Sequence, residues 1–166
     1  MELLIIRHAH AGSREEFAKT GQPDELRPLS KEGVHDMKEI ARGLRRLVPT
    51  VDSVVTSPLV RARQTADIVA DEYRVEIVES DALQPNEKFE RFVSWARREK
   101  TGDVSAVVGH EPHLSGLVAY LIGESGDASV DLKKSGAALI EFEGRIERGK
   151  GTLRWLVTPK IALEVR

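Results

Sequence analysis

A chain of 166 residues with 40% hydrophobic and 31% charged side chains has the composition of one soluble globular domain, so a single domain is expected over residues 1–166. Its 25 Lys and Arg against 27 Asp and Glu give a formal charge of -2, which offers no global basic field to nucleic acid or anionic lipid. The absence of cysteine excludes disulfides, thiolate metal sites and thiol nucleophiles and fits a reducing compartment, with the cytoplasm as the expected location.

The apolar opening carries Glu2, lacks a basic leader and stops at Arg7, so it reads as a strand and not as a signal peptide. No stretch approaches the roughly 20 apolar residues a membrane span needs, and no membrane partner is expected. Leu3 to Ile6 is wholly apolar, the pattern of a strand covered on both faces. Ser30 is a good N-cap for a helix carrying Val34, Met37, Ile40, Ala41, Leu44, Leu47 and Val48 up to Pro49. Asp52 to Thr56 predicts a second strand, and Ser57-Pro58 supplies an N-cap and N1 proline for a helix through Ala62, Ala66, Ile68 and Val69. Val75 to Val78 reads as a third strand, and Asn86 as the cap of a helix bearing Phe89, Phe92, Val93 and Ala96. Val104 to Val108 is a fourth strand, followed by an apolar helix from Leu114 to Ile122 that Gly123 closes. Ala137 to Phe142 and Thr152 to Val157 complete the chain as two strands able to form a hairpin.

This alternation predicts an α/β three-layer sandwich with a mainly parallel central sheet flanked by helices. Between His8 and Ser30 lies a long polar segment with no clear period, of the kind that forms active-site rims. Ligands of open α/β sheets bind beyond the carboxyl ends of strands. There the first strand delivers Arg7 and His8, the second Ser57 with Arg61 one turn into its helix, and the fourth His110. Two guanidiniums, two imidazoles and a helix N-terminus on one edge suit a phosphate. A neutral His8 then has a lone pair for attack on phosphorus, and a cationic His110 would donate to the phosphoryl oxygens.

The segments RHAHA, LRPLSKEG, SPLVRARQTA and GHEPHLS, in that order, resemble the signatures of the histidine phosphatase superfamily. The short length and the RPLS and SPLVRA forms are most similar to its bacterial phosphohistidine phosphatase (SixA-type) branch. The resemblance implies that His8 becomes phosphorylated, that Arg7, Arg61 and His110 complete the phosphate pocket, and that Ser30 and Gly33 are structural. It implies no cofactor, and a phosphohistidine-containing protein or a small phosphorylated substrate as partner. Ala9 and His10 depart from the Gly followed by an acid or amide found in many relatives. In larger relatives a carboxylic acid supplied after the third strand protonates an ester leaving group; here Glu87 and Asp81 are the candidate donors, and neither sits in a recognisable donor motif. An imidazole leaving group, titrating near 6.5, needs such an acid less.

Most other basic residues, including Arg42, Arg45, Arg46, Arg97, Arg98 and His35, are expected on the solvated surface, and Arg63 in structural ion pairs. His10 and His113 are balanced between the rim and ordinary surface. Ser57 is read as a cap whose hydroxyl also suits phosphate, and Arg14, Lys19 and Arg27 are candidates for greeting an anion. Two rival functions stand beside phosphatase chemistry: a metal hydrolase using His8/His10 and His110/His113, which neighbouring arginines disfavour, and a phosphate-binding module without turnover. No metal site is expected, and no pattern specifies an oligomeric state.

Overall fold

Successive residues of the first strand enter opposite hydrophobic layers. In the computed structural model, which describes residues 1–99, 102–123 and 129–165, the order is β1 (Glu2–Arg7), α1 (Arg14–Ala18), α2 (Lys31–Leu47), β2 (Ser53–Thr56), α3 (Val60–Tyr73), β3 (Ile77–Glu79), α4 (Phe89–Arg98), β4 (Val104–Gly109), α5 (His113–Ile122), β5 (Ala137–Glu141), β6 (Thr152–Val157) and α6 (Pro159–Glu164). Leu4 and Ile6 of β1 pack into the cluster that holds Met37, Ile40 and Leu44 of α2, Ala66 and Val69 of α3 and Ala162 of α6. Leu3 and Ile5 enter the other, with Phe92 and Val93 of α4 and Leu114, Leu117 and Leu121 of α5. Side chains alternate across a strand, so an unbroken apolar run is what two covered faces demand. Each fully buried Leu or Ile contributes about 1.5–3 kcal/mol to holding β1 in place.

The sheet has the order β3-β2-β4-β1-β5-β6. β1 to β4 are mutually parallel, whereas β5 runs antiparallel to β1 and β6 antiparallel to β5, with a bulge at Leu139/Ile140. This is the mainly parallel three-layer α/β architecture expected, and the last two strands do form the hairpin. The register sets Arg7 beside Gly109 and Thr56 beside Val108, so the carboxyl ends of β1, β2 and β4 finish at one level.

N-terminal capping signals held in one place and failed in two. Ser30 Oγ accepts from the Gly33 amide at 2.9 Å and starts α2 as expected. Ser57 does not cap α3: Ser57-Pro58 continue the strand exit and Leu59 stands at the N-cap without a side-chain bond. Asn86 does not cap α4 either, because Lys88 occupies that position, again without a side-chain bond. Both helices take their position from packing, through Ala62 and Ala66 or Phe92 and Val93, which outweighs the roughly 1 kcal/mol of a polar cap. The third strand begins at Ile77, two residues later than expected.

The segment after His8 is ordered without being periodic. Ser13 caps α1 by accepting from Glu16, a 3-10 turn follows at Asp24–Leu26, and an isolated antiparallel bridge joins Ala11 to Leu29. Gly33 permits this return: a Cβ there would lie 2.1 Å from the His10 carbonyl oxygen. Among the described residues no helix is long and apolar enough to cross a membrane.

Candidate active site

Two backbone hydrogen bonds carry the sheet pattern past its last pairs. The His8 amide donates to the Gly109 carbonyl at 3.0 Å, and the Ser57 amide donates to the Val108 carbonyl at 3.1 Å. Together they bring His8, Ser57 and His110 to adjacent chain exits. The rings of His8 and His110 lie 5.1 Å apart between centroids, tilted by 54°. The Ser57 hydroxyl sits 2.9 Å from His110 Nε2, and the buried Nδ1 of His110 has no hydrogen-bond partner.

His8 has a defined tautomer. Its Nδ1 lies 2.8 Å from the Ala9 carbonyl oxygen, which can only accept, so Nδ1 carries the proton and Nε2 keeps the lone pair. Ala9 is itself fixed, because its amide donates to Thr65 Oγ1 at 3.0 Å while that hydroxyl donates to the Arg61 carbonyl at 2.8 Å. Burial lowers the His8 pKa to about 4, with the charges of Arg61, Arg7 and Arg27 adding to the effect and the Ala9 bond opposing it. At neutral pH the ring is therefore a neutral base at 7% exposure.

The two arginines are held differently. Arg7 Nη1 donates to the Leu132 carbonyl at 2.8 Å, and its buried Nε is unpartnered. Arg61 is only 6% exposed; Nη1 donates to the Asp24 carbonyl at 2.9 Å, Nη2 lies 3.4 Å from the Asp24 carboxylate, and Nε is unpartnered. The segment before β5 closes the other side: Ser135, buried and left-handed at φ 58°, donates its amide to the Arg7 and His8 carbonyls at 3.2 and 3.3 Å. A non-glycine residue in that conformation costs on the order of 1 kcal/mol, which these contacts sustain. Beside Arg61 opens a cleft of about 400 Å³ whose walls include Glu87 and Glu111. The assembly can bind a tetrahedral oxyanion through cationic and N–H donors while presenting one imidazole nitrogen to its central atom.

The sequence profile of the histidine phosphatase superfamily (branch 1) matches residues 3–88. An uncharacterised protein of Picosynechococcus sp. strain PCC 7002 is 36% identical over 140 residues, covering 82% of this chain and 82% of that protein. The chain belongs to the histidine phosphatase superfamily. Within it, the phosphohistidine phosphatase SixA of Escherichia coli K12 is 26% identical over 168 residues, covering 96% of this chain and 94% of that one. The solved structure of the protein histidine phosphatase SixA complexed with tungstate has the same fold, with a TM-score of 0.81 at 23% identity over 97% of this chain and 99% of that chain.

Against that superfamily pattern, Arg7, His8, Arg61, His110 and Ser57 converge as neighbours, whereas other expected positions do not. Burial, reinforced by His8 and Arg61, lowers the His110 pKa far below 6.5, so the imidazolium expected there is disfavoured and the ring acts as a neutral donor or acceptor. Asp81 is exposed, accepts from Gln84 Nε2 at 2.8 Å and stands outside the cleft wall, unlike Glu87. His113 is neither rim nor surface: at 3% exposure it packs on Phe89 with ring centroids 5.3 Å apart. His10 is exposed beside Ser30 Oγ at 3.3 Å. Among the described residues no group of three or more His, Asp or Glu is arranged to hold a metal.

The basic residues of the rim are already engaged. Arg27 donates to Asp24 and to the Gly12 carbonyl, both at 2.8 Å, Arg14 lies 3.4 Å from Asp24, and Lys19 pairs with Glu16. Arg63 bonds Asp67 and Glu79 on the outer side of α3, as a structural residue would. Asp24, Glu111, Thr65 and the Leu132 to Gly136 segment were not singled out by the sequence. Thr65, one helical turn after Arg61, and Glu111, next to His110 in the GHEPHLS segment, each carried a local signal.

Proposed function

We propose that the protein is a phosphatase in which His8 Nε2 attacks phosphorus and forms a phospho-His8 intermediate. The observation that carries this reading is the Ala9 carbonyl on His8 Nδ1, which leaves the nucleophilic lone pair on Nε2 beside His110 and the buried Arg61. Arg7, Arg61, His110 and Ser57 bind the phosphoryl oxygens as donors. A phosphoryl dianion would also offset the burial that opposes protonation of His110, drawing a proton to that ring as charge builds. As the new N–P bond forms, the bond from phosphorus to the leaving group breaks. Water then attacks the phospho-His8 phosphorus, releasing inorganic phosphate and restoring the imidazole.

The preferred substrate is phosphohistidine in a protein. Two facts support it: similarity along nearly the whole chain to a relative named a phosphohistidine phosphatase, and the low basicity of an imidazole leaving group, which needs only modest protonation. A small phosphate ester is the second reading, for which Glu87 and Glu111, lining the cleft that Arg61 also lines, are the candidate acids toward a leaving oxygen. A single domain acting in the cytoplasm fits both. The test compares release of inorganic phosphate from a phosphohistidine protein, a phosphoserine peptide and small phosphate esters, with His8→Ala as control. Fastest turnover of phosphohistidine, abolished in His8→Ala, is expected. Full activity in that variant defeats the mechanism, and tight binding without phosphate release from any substrate identifies a binding module instead.

A further inference from the structure

The two guanidiniums of the pocket are hung in the same way. Arg7 Nη1 donates to the Leu132 carbonyl at 2.8 Å and Arg61 Nη1 to the Asp24 carbonyl at 2.9 Å, and each side chain keeps a buried Nε with no partner. They differ in what faces the charge. Among the described residues no carboxylate pairs with Arg7, whereas Arg61 Nη2 lies 3.4 Å from the Asp24 carboxylate. Burial works against the charge of Arg61, and Asp24 is the strongest influence in its favour.

Asp24 is itself held from the far side. Its Oδ1 accepts from Arg27 Nε at 2.8 Å, and Arg27 is anchored in turn by Nη1 on the Gly12 carbonyl, also at 2.8 Å. The Asp24 carbonyl closes the 3-10 turn by accepting from the Arg27 amide at 3.1 Å. Main chain and side chain of one residue are thus both fixed, and Oδ2 is left to Arg61 and to the exposed Arg14, each at 3.4 Å. The hydrogen bond from Arg27 holds the Asp24 carboxyl below the usual carboxylate range, with Arg61 and Arg14 adding to the effect, so the group is anionic at neutral pH. A guanidinium engaged at both Nη atoms keeps Nε free for a ligand, and a donor fixed before the substrate arrives needs no reorganisation as charge builds on the phosphoryl oxygens.

We infer that Asp24 is a positioning residue, whose carboxylate holds the guanidinium of Arg61 in place to receive a phosphoryl group. The inference rests on the phosphatase reading for the reaction that Arg61 serves, and on the contacts of Arg61 for its geometry. Asp24 acts through Arg61 and touches no reacting atom. The polar segment between His8 and Ser30 is therefore more than a rim, because its 3-10 turn brings to α3, across 37 residues of sequence, the acid that sets one phosphate ligand.

The test is a double-mutant cycle in the intact protein with Asp24→Asn and Arg61→Lys, read by kcat/KM on a phosphohistidine protein and by the Kd of inorganic phosphate. Asp24→Asn keeps the main-chain carbonyl and the size of the side chain but removes its charge. It is expected to lower kcat/KM by about tenfold or more, as a displaced ligand does, and to weaken phosphate several-fold. In the Arg61→Lys background both losses should shrink to less than about twofold, because residues that act through one contact are not additive. The Arg61 Nε–H resonance reads the position directly and should exchange with solvent several-fold faster in Asp24→Asn than in the wild type. A lower Tm with unchanged kcat/KM and phosphate affinity, losses of equal size in both backgrounds, or an unchanged exchange rate overturns the inference. Tighter phosphate binding in Asp24→Asn also overturns it, since Asp24 would then only cancel charge. If the wild type releases phosphate from no substrate, the phosphatase reading falls, while the phosphate-affinity cycle and the Arg61 resonance still decide the role of Asp24.

Discussion

The carbonyl of Ala9 fixes the tautomer of His8, 2.8 Å from its Nδ1. A backbone group performs this orientation, so the side chain at position 9 is free to be a fully buried methyl, and the departure from glycine there does not disturb the nucleophile. The same group raises the basicity of the ring while burial and three arginines lower it, and burial dominates.

The titration of His8 is the first consequence. Followed by NMR of the imidazole, its midpoint is expected near pH 4, with His110 also displaced downward from 6.5. An ordinary midpoint near 6.5 for His8 would show that the pocket is far more hydrated than its packing indicates.

The same shift makes stability depend on pH. Between about pH 4 and 6.5 an unfolded chain protonates His8 while the folded one does not, so the unfolded state binds more protons and stability rises with pH. It falls as pH drops through that window, by roughly 3 kcal/mol for this one group at pH 4. Urea unfolding of wild type and His8→Ala across pH 4 to 7 should give a flatter dependence in the variant; parallel curves would contradict this origin.

Ser57→Ala removes the hydroxyl 2.9 Å from His110 Nε2 and leaves both ring nitrogens of a buried histidine unpartnered. A stability loss of about 1–3 kcal/mol is expected. Turnover should fall about tenfold or more, since 1.4 kcal/mol of lost orientation is worth that much. The paired measurements are kcat/KM and Tm, and unchanged values of both would mean that Ser57 does not orient His110.

Gly33→Ala places a methyl group 2.1 Å from the His10 carbonyl oxygen, on backbone that cannot swing aside. The first turn of α2 and the chain leaving His8 must separate, breaking the bonds by which the Ser30 amide and hydroxyl reach that carbonyl at 3.0 and 3.2 Å. Overpacking of this kind costs typically about 1–3 kcal/mol. Equilibrium denaturation should show it, together with reduced activity from the displaced His8 segment.

Phosphate release is expected to be unchanged by prolonged chelation with EDTA, because among the described residues no group of three or more His, Asp or Glu is arranged to hold a metal. Activity lost in chelator and restored by a divalent metal would reinstate the metal-hydrolase alternative.

Local pattern was sufficient wherever the controlling contacts are near in sequence. The alternating layers, the apolar β1, the Ser30 cap and the approach of Arg7, His8, Arg61 and His110 to one sheet edge all follow from residue periods and from ligands lying beyond strand ends. The caps read at Ser57 and Asn86 failed because capping preference is worth less than the packing that sets where α3 and α4 begin.

What the sequence by itself determined is the set of groups that chemistry requires; the tertiary structure decided how each is held and charged. The pairing of Thr56 with Val108 in neighbouring strands brings Ser57 onto His110, and the folded rim brings Asp24 onto Arg61, across separations of 53 and 37 residues. Burial then neutralises His110 and encloses His113, and the Ala9 carbonyl selects the His8 tautomer. Desolvation and through-space hydrogen bonding depend on packing between distant segments, and no periodicity along the chain encodes them.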